Sequence, residues 1–287
     1  MRDMRPWRCQ PGVARDPALA RWVLAPMDRD DGLDEALRDL VVLDEPEVTS
    51  AKEAVDRDAE LGRAAGNDQR PPTYRIWENR QCLVVTPREE RLPGFDKASR
   101  ASSAGGWPVV TRESGGTAVP HARGILQTSI LVPQHRLGPH ALEAIYRALC
   151  DPVRAALAGI GVDAGYGEVP GSFCDGRFNL VANGRKIAGT SQRWRGGLPP
   201  SRKPGGYVIA HMVLFVDADM TAATEAVNRF YRNAGEDASF DPRAVITVSE
   251  CLSHSAPRES SRDRLTKELR RRIRAEARGL AAGPWHA

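Results

Sequence analysis

The chain has 287 residues, of which 41% are hydrophobic and 27% charged, with a formal net charge of +4. That length and apolar content support a sizeable core rather than disorder, and so small a charge balance sets aside a general nucleic-acid binder. Its five cysteines, Cys9, Cys82, Cys150, Cys174 and Cys251, are widely spaced and include no Cys-x-x-Cys pair, so no disulfide framework and no metal site are expected. No apolar run approaches the roughly 20 residues of a membrane span. The basic start MRDMRPWRC lacks the apolar region of a secretory signal, so the expectation is a cytoplasmic protein with reduced thiols and no membrane partner.

In chain order, DPALARWVLAPMDRDDGLDEALRDLVV carries apolar residues at helical spacing, broken near Pro26 and Gly32. Thr49 or Ser50 caps a second helix running to about Leu61. TYRIWENRQCLVV reads as a hairpin around Glu78 and Asn79, and Arg88 to Gly106 as a polar surface loop. PVVTRESGGTAVPHARGILQTSILVP gives strand, glycine loop, strand. Pro139 to about Ala158 is a helix with Leu142, Ile145, Leu149 and Val153 on one stripe. Asn183-Gly184 is the strongest two-residue hairpin signal in the chain, pairing Ala182 with Arg185 and Val181 with Lys186. GYVIAHMVLFV is a long apolar strand, central in a sheet, and MTAATEAVNRFYRNAG a helix ending near Gly235. The tail SSRDRLTKELRRRIRAEARGL is a basic helix capped by Ser260 or Ser261, with Leu265, Leu269, Ile273 and Leu280 as its apolar stripe. The order predicts an α+β fold with a mixed or antiparallel sheet packed against helices. Strict strand–helix alternation is missing, which sets aside a Rossmann arrangement. Residues 1–70 read as a helical N-terminal part of the same domain, 71–258 as the core, and 259–287 as the basic helix and tail.

Two stretches stand out chemically. RESGGTAVPH, Arg112 to His121, is a glycine loop between strands, without the Gly-Lys-Ser/Thr of a phosphate-binding loop. GSFCDGRFNL, Gly171 to Leu180, sets one thiol shortly before the hairpin that carries Lys186. Taken alone, paired glycines usually make a turn, a lone cysteine is a small core hydrophobe, and a lysine past a turn is solvated.

Together, however, they resemble the lipoate-protein ligase and octanoyltransferase superfamily. RESGGTAVPH is similar to its Arg-x-Ser-Gly-Gly-x-Ala-Val loop, and GRKIAGTSQRW to its lysine-bearing Gly-Arg/Lys-Lys segment, in the right order between about Tyr74 and Val216. GSFCDGRFNL resembles the Gly-Ser-Tyr/Phe-Cys-x-Gly-Arg motif of the branch that acts on octanoylated glycine-cleavage H protein. The resemblance implies a biotin/lipoate protein ligase-like catalytic domain. Its acyltransferase would move an octanoyl or lipoyl group to a lysine of a lipoyl-carrier domain, either glycine cleavage H protein or the E2 subunits of 2-oxoacid dehydrogenases. It places the nucleophile on Cys174 and the family lysine on Lys186, with Arg112, Ser114, Gly115, Gly116, Thr117, Ala118, His121 and Gly189 around the substrate. No cofactor is implied for the cysteine branch. ATP and Mg²⁺ belong to the runner-up, a ligase forming lipoyl-adenylate, which Thr117 in place of a third glycine weakens. A silent acyl- or nucleotide-binding module is the third reading.

The chemistry adds constraints. A thiolate splits amide-to-amide transfer into two easier steps, a nearby ammonium favours the thiolate, and N–H groups of Gly115, Gly116 or Gly189 would hold the oxyanion. An apolar slot would take the acyl chain, with Val119, Ile125, Leu126 and Ile187 as its candidates. The arginines of the basic tail would steer an acidic carrier. In an extended strand, Cys174 would lie about 23 Å from Val181. The two groups meet only if the chain doubles back between Gly171 and Arg177, which both glycines permit.

Overall fold

The computed structural model describes residues 32–45, 50–138, 141–196, 204–252 and 259–282. The part of the helical stretch expected from Asp16 to its break near Pro26 lies outside them, as do Thr49 and Pro139. In chain order the elements are α1 (Leu33–Leu37), β1 (Val41–Asp44), α2 (Ala51–Gly66), β2 (Thr73–Glu78), β3 (Cys82–Val85), α3 (Phe95–Ala104), β4 (Val109–Thr111), β5 (Val119–His121) and β6 (Ile125–Pro133). There follow α4 (Ala141–Ala158), β7 (Gly165–Gly167), β8 (Asn179–Ala182), β9 (Arg185–Arg195), β10 (Tyr207–Phe215), α5 (Met220–Ala234), α6 (Val248–Leu252) and α7 (Glu259–Gly279).

Among the described residues, a seven-stranded sheet runs β1-β2-β6-β10-β9-β8-β7 and a three-stranded one β4-β3-β5. In each, one pair is parallel (β1 with β2, β3 with β4) and the rest antiparallel, so the expected α+β class with mixed sheets holds. Strand alternation shows how the large sheet is covered. Tyr74 points to one face, where its hydroxyl donates to Leu149 O of α4 at 2.8 Å. Arg75, the next residue, points to the other and donates to Ala54 O and Asp58 of α2, both at 2.8 Å. α7 packs on α4 and β1 in the first layer, while the small sheet and α5 enclose the apolar cluster of Trp77, Val84, Val119, Phe173, Phe215 and Phe230 on the second side. No helix among the described residues is long and apolar enough to cross a membrane.

Several expectations hold locally. The Ser50 side chain caps α2 by accepting from Glu53 N, although the helix runs on to Gly66 rather than stopping near Leu61. α5 ends on Gly235 at φ 83°. β10 lies centrally, between β6 and β9. On α4, Ile145, Leu149 and Val153 are fully buried, but Leu142 is 40% exposed and leaves the stripe. Leu269, Ile273 and Leu280 bury the apolar edge of α7, with Leu265 only partly covered. α7 already starts at Glu259, which puts Ser260 and Ser261 inside the helix rather than at its cap.

Three readings are corrected. β2 and β3 are not a hairpin: they lie in different sheets, with Asn79 at the corner bonding Arg80 N and His121. Arg88 to Gly106 is not a loop but contains α3, whose small residues Ala98 and Ser102 let it sit closely on α5. Val41 and Val42, read as the end of a helix, begin a strand parallel to β2.

Candidate active site

The thiol reaches the sheet because the chain reverses before β8. β7 and β8 pair antiparallel, so residues 168–178 form the return that joins them. The positive φ angles fall at Gly171 (84°) and at Cys174 itself (53°), while Gly176 contributes none. A non-glycine residue in the left-handed region costs about 1–2 kcal/mol, and here the surroundings hold it. Asp175 accepts from Val169 N at 2.9 Å and Gly176 N at 3.0 Å. Asn179 donates to Cys174 O at 3.0 Å and accepts from Thr190 N at 2.9 Å, tying the loop to β9.

The amine arrives from the other side of the hairpin. Asn183 and Gly184 have φ 49° and 71°, the both-positive geometry expected of Asn-Gly, and the register is Ala182 with Arg185 and Val181 with Lys186. The next pair is Leu180 with Ala188, so Ile187 is an extra residue in β9. That bulge decides where Lys186 points. In a regular strand, residues 186 and 189 face opposite sides. Here the Lys186 side chain lies over Gly189, where a β-carbon would come within 2.9 Å of Cε and 3.0 Å of Nζ. Lys186 is completely buried, and its Nζ donates to Phe173 O at 2.5 Å and Cys174 O at 2.9 Å. Burial lowers its pKa to about 8, against the opposing pull of Cys174 and Asp175.

The glycine loop closes the site. Arg112 is buried and its guanidinium braces the loop, donating to Val84 O, Gly115 O and Thr117 O, each at 2.9 Å. Burial also holds that guanidinium below its usual pKa. Gly116 has φ 102°, and a β-carbon there would sit 2.5 Å from Cys174 Sγ and 3.0 Å from Arg112 Nη2. The sulfur therefore rests directly on Gly116. The N–H groups of Gly115 and Gly116 donate to no atom of the described residues. Ala118 N–H is already used on Tyr231 Oη, which in turn donates to Glu89.

Of the residues singled out in the sequence, Cys174, Lys186, Gly189 and Arg112 line one cavity, with Gly116 against the sulfur. Ser114 lies outside that shell and faces His211, 3.3 Å from Nε2. Thr117 and Ala118 act through their backbone. His121 is displaced into the adjoining cavity, where it accepts at Nδ1 from Asn79 and burial pushes its pKa down to about 3. It is a neutral wall residue there. The sequence reading missed Asn179, His211 and Ser191, which donates to Gly115 O at 3.1 Å. Only His211 carried a signal, as the one histidine in the apolar run YVIAHMVLF.

That adjoining cavity encloses about 520 Å³ of empty space, its mouth included, and shares Arg112, Val119, His211 and Val213 with the Cys174 cavity. The two form a slot crossing β10 toward α2. Val119 lines it as expected. Ile125, Leu126 and Ile187 do not, being fully buried in the core.

The fold so assembled is that of a lipoate ligase catalytic domain. It superimposes on the structure of Ta0514, a putative lipoate protein ligase from T. acidophilum with bound lipoic acid, at a TM-score of 0.56 and 17% identity, over 85% of this chain and 92% of that one. Residues 50–270 match the lipoyl protein ligase A/B catalytic domain, and the chain belongs to that family. It is 46% identical over 213 residues to an octanoyl-GcvH:protein N-octanoyltransferase of Kyrpidia tusciae, covering 73% of this chain and 71% of that protein. A transferase of the same name from Geobacillus kaustophilus is 33% identical over 228 residues, 78% of this chain and 77% of the relative.

Proposed function

We propose that this chain is an acyltransferase that moves an octanoyl or lipoyl group between lysines of lipoyl-carrier domains through a thioester on Cys174. The observation that carries the reading is Sγ resting on Gly116, beside two N–H groups with no acceptor among the described residues, in the cavity that also holds the Lys186 amine. The names of the relatives, which act on GcvH, support the same reaction class.

In the first half-reaction the Cys174 proton passes to the Lys186 amine and the thiolate attacks the acyl carbonyl of the donor amide. Negative charge collects on the oxygen, where Gly115 and Gly116 N–H groups receive it; one such donor contributes about 3–4 kcal/mol. The C–N bond then breaks as the Lys186 ammonium protonates the leaving lysine nitrogen, leaving a thioester and a free donor amine. In the second half, the acceptor lysine attacks the thioester as a neutral amine. Its surplus proton goes to Lys186, the C–S bond breaks, and the thiol is restored. A group held at about 8 serves both directions near neutral pH. Arg112 positions the loop through its bonds to Gly115 O and Thr117 O.

The reading needs no nucleotide. In the ligase alternative the family lysine would face an adenylate and Cys174 would be incidental, whereas here the sulfur shares the lysine's cavity and rests on Gly116. The test is transfer from octanoylated H protein to an apo carrier without ATP, run beside free lipoate with ATP and Mg²⁺. ATP-free transfer abolished by Cys174→Ala is expected. Carrier modification that requires ATP and survives Cys174→Ala would replace this reading with ligation.

A further inference from the structure

The far end of the slot is polar where a plain alkyl chain would need none. Gly189 on β9 pairs with Val213 on β10, Val213 with Gln127 on β6, and Gln127 with Trp77 on β2, a single row across the sheet. Strands lie about 4.8 Å apart, so Gln127 stands about 10 Å from Gly189, over which Lys186 lies. That distance is close to the reach of an extended eight-carbon acyl chain.

Gln127 lines the cavity, is 1% exposed, and neither its Nε2 nor its Oε1 has a partner among the described residues. Three polar neighbours in the cavity are already engaged, while Arg112 Nε, like the carboxamide, has no partner among the described residues. Trp77 Nε1 donates to Ser129 Oγ at 3.3 Å, His121 accepts from Asn79, and Asp58 is held by Arg75 and Ser129. A buried carboxamide with both ends unused is unfavourable, and such groups ordinarily meet a partner. Trp77 and His121 stand edge to face beside it, ring centroids 5.7 Å apart, a surface suited to sulfur.

We infer that Gln127, with Trp77 and His121, forms a subsite for heteroatoms at the distal end of the acyl chain and ranks the sulfur-bearing lipoyl group above octanoyl. The amide N–H meets a dithiolane sulfur, a weak acceptor, while the aromatic edges contact the polarisable atoms. An octanoyl end would leave the carboxamide unpaired. The inference rests on the transferase reading but is tested apart from it.

With the full chain, lipoylated and octanoylated H protein would compete as donors, and free lipoate and octanoate would be titrated calorimetrically, for the wild type, Gln127→Leu and Gln127→Met. The expected result is a lipoyl preference of about tenfold in kcat/KM and in binding, collapsing toward unity in either variant. A wild type that prefers octanoyl, or a ratio unchanged by both substitutions, would overturn the subsite and implicate a bound water as Gln127's partner. If the wild type transfers neither group, the transferase reading fails and the binding ratio alone decides the subsite. Should the variants not fold, the wild-type preference decides.

Discussion

Gly116 does most to bring the thiol to the loop's N–H groups, because no side chain fits between Sγ and Arg112. Gly116→Ala would drive a β-carbon to 2.5 Å from the sulfur in a left-handed conformation. The expected outcome is at least a hundredfold loss of thioester formation, with unfolding free energy lowered by about 1–3 kcal/mol, read by quenched-flow acylation and urea denaturation. Wild-type acylation in this variant would remove Gly116 from the site. Lys186 titrates at about 8 folded against 10.5 unfolded, so between those values the unfolded chain binds the extra proton. Its contribution to stability therefore rises with pH across that window, by about 3 kcal/mol at most, relieving a penalty present below pH 8. The stability difference between wild type and Lys186→Met, followed from pH 7 to 11, carries this slope, and a flat difference would contradict it. Aminolysis of the thioester, which needs the neutral amine, is expected to rise with pH through about 8.

At the scale of elements, the site depends on two backbone devices, the return before β8 and the bulge in β9. Asn179 staples them together, so Asn179→Ala removes one of the two donors on Cys174 O, leaving Lys186 Nζ, and at once takes the acceptor from Thr190 N. A loss of about 1–3 kcal/mol is expected by thermal unfolding, with a larger fall in kcat than in KM because thiol and amine lose their relative placement. An unchanged kcat would show that the loop holds itself. These devices also mark how far the sequence reached. The Asn-Gly turn was legible because its dihedral demands name the residues, and the return was deduced from reach alone. The bulge was not legible, since an inserted residue leaves no compositional trace and strand alternation puts Lys186 on the wrong face. α3 was missed because it buries only the small residues Ala98 and Ser102, so FDKASRASSA reads as a polar, Ser-rich stretch. β2 and β3 looked like a hairpin because each takes a partner far along the chain, β2 in β6 48–58 residues on and β3 in β5 35–39 residues on.

For the whole molecule, the sheet separates the basic helix from the chemistry. α7 lies on the α4 side, whereas the slot opens on the α2 side. Much of its charge is also matched: Arg270 bonds Asp44 and Glu78, and Arg271 and Arg272 both bond Glu268. Steering by this helix is therefore expected to be weak. Arg264→Glu with Lys267→Glu is expected to change transfer kcat/KM less than about threefold between low and physiological salt; a tenfold fall would restore the steering role. Transfer through Cys174 requires one covalent event, and peptide mass spectrometry reads it directly. After brief mixing with octanoylated carrier in the absence of ATP, the peptide bearing Cys174 is predicted to gain one octanoyl group that hydroxylamine removes and apo carrier discharges. An unmodified Cys174 while acyl transfer proceeds would contradict it.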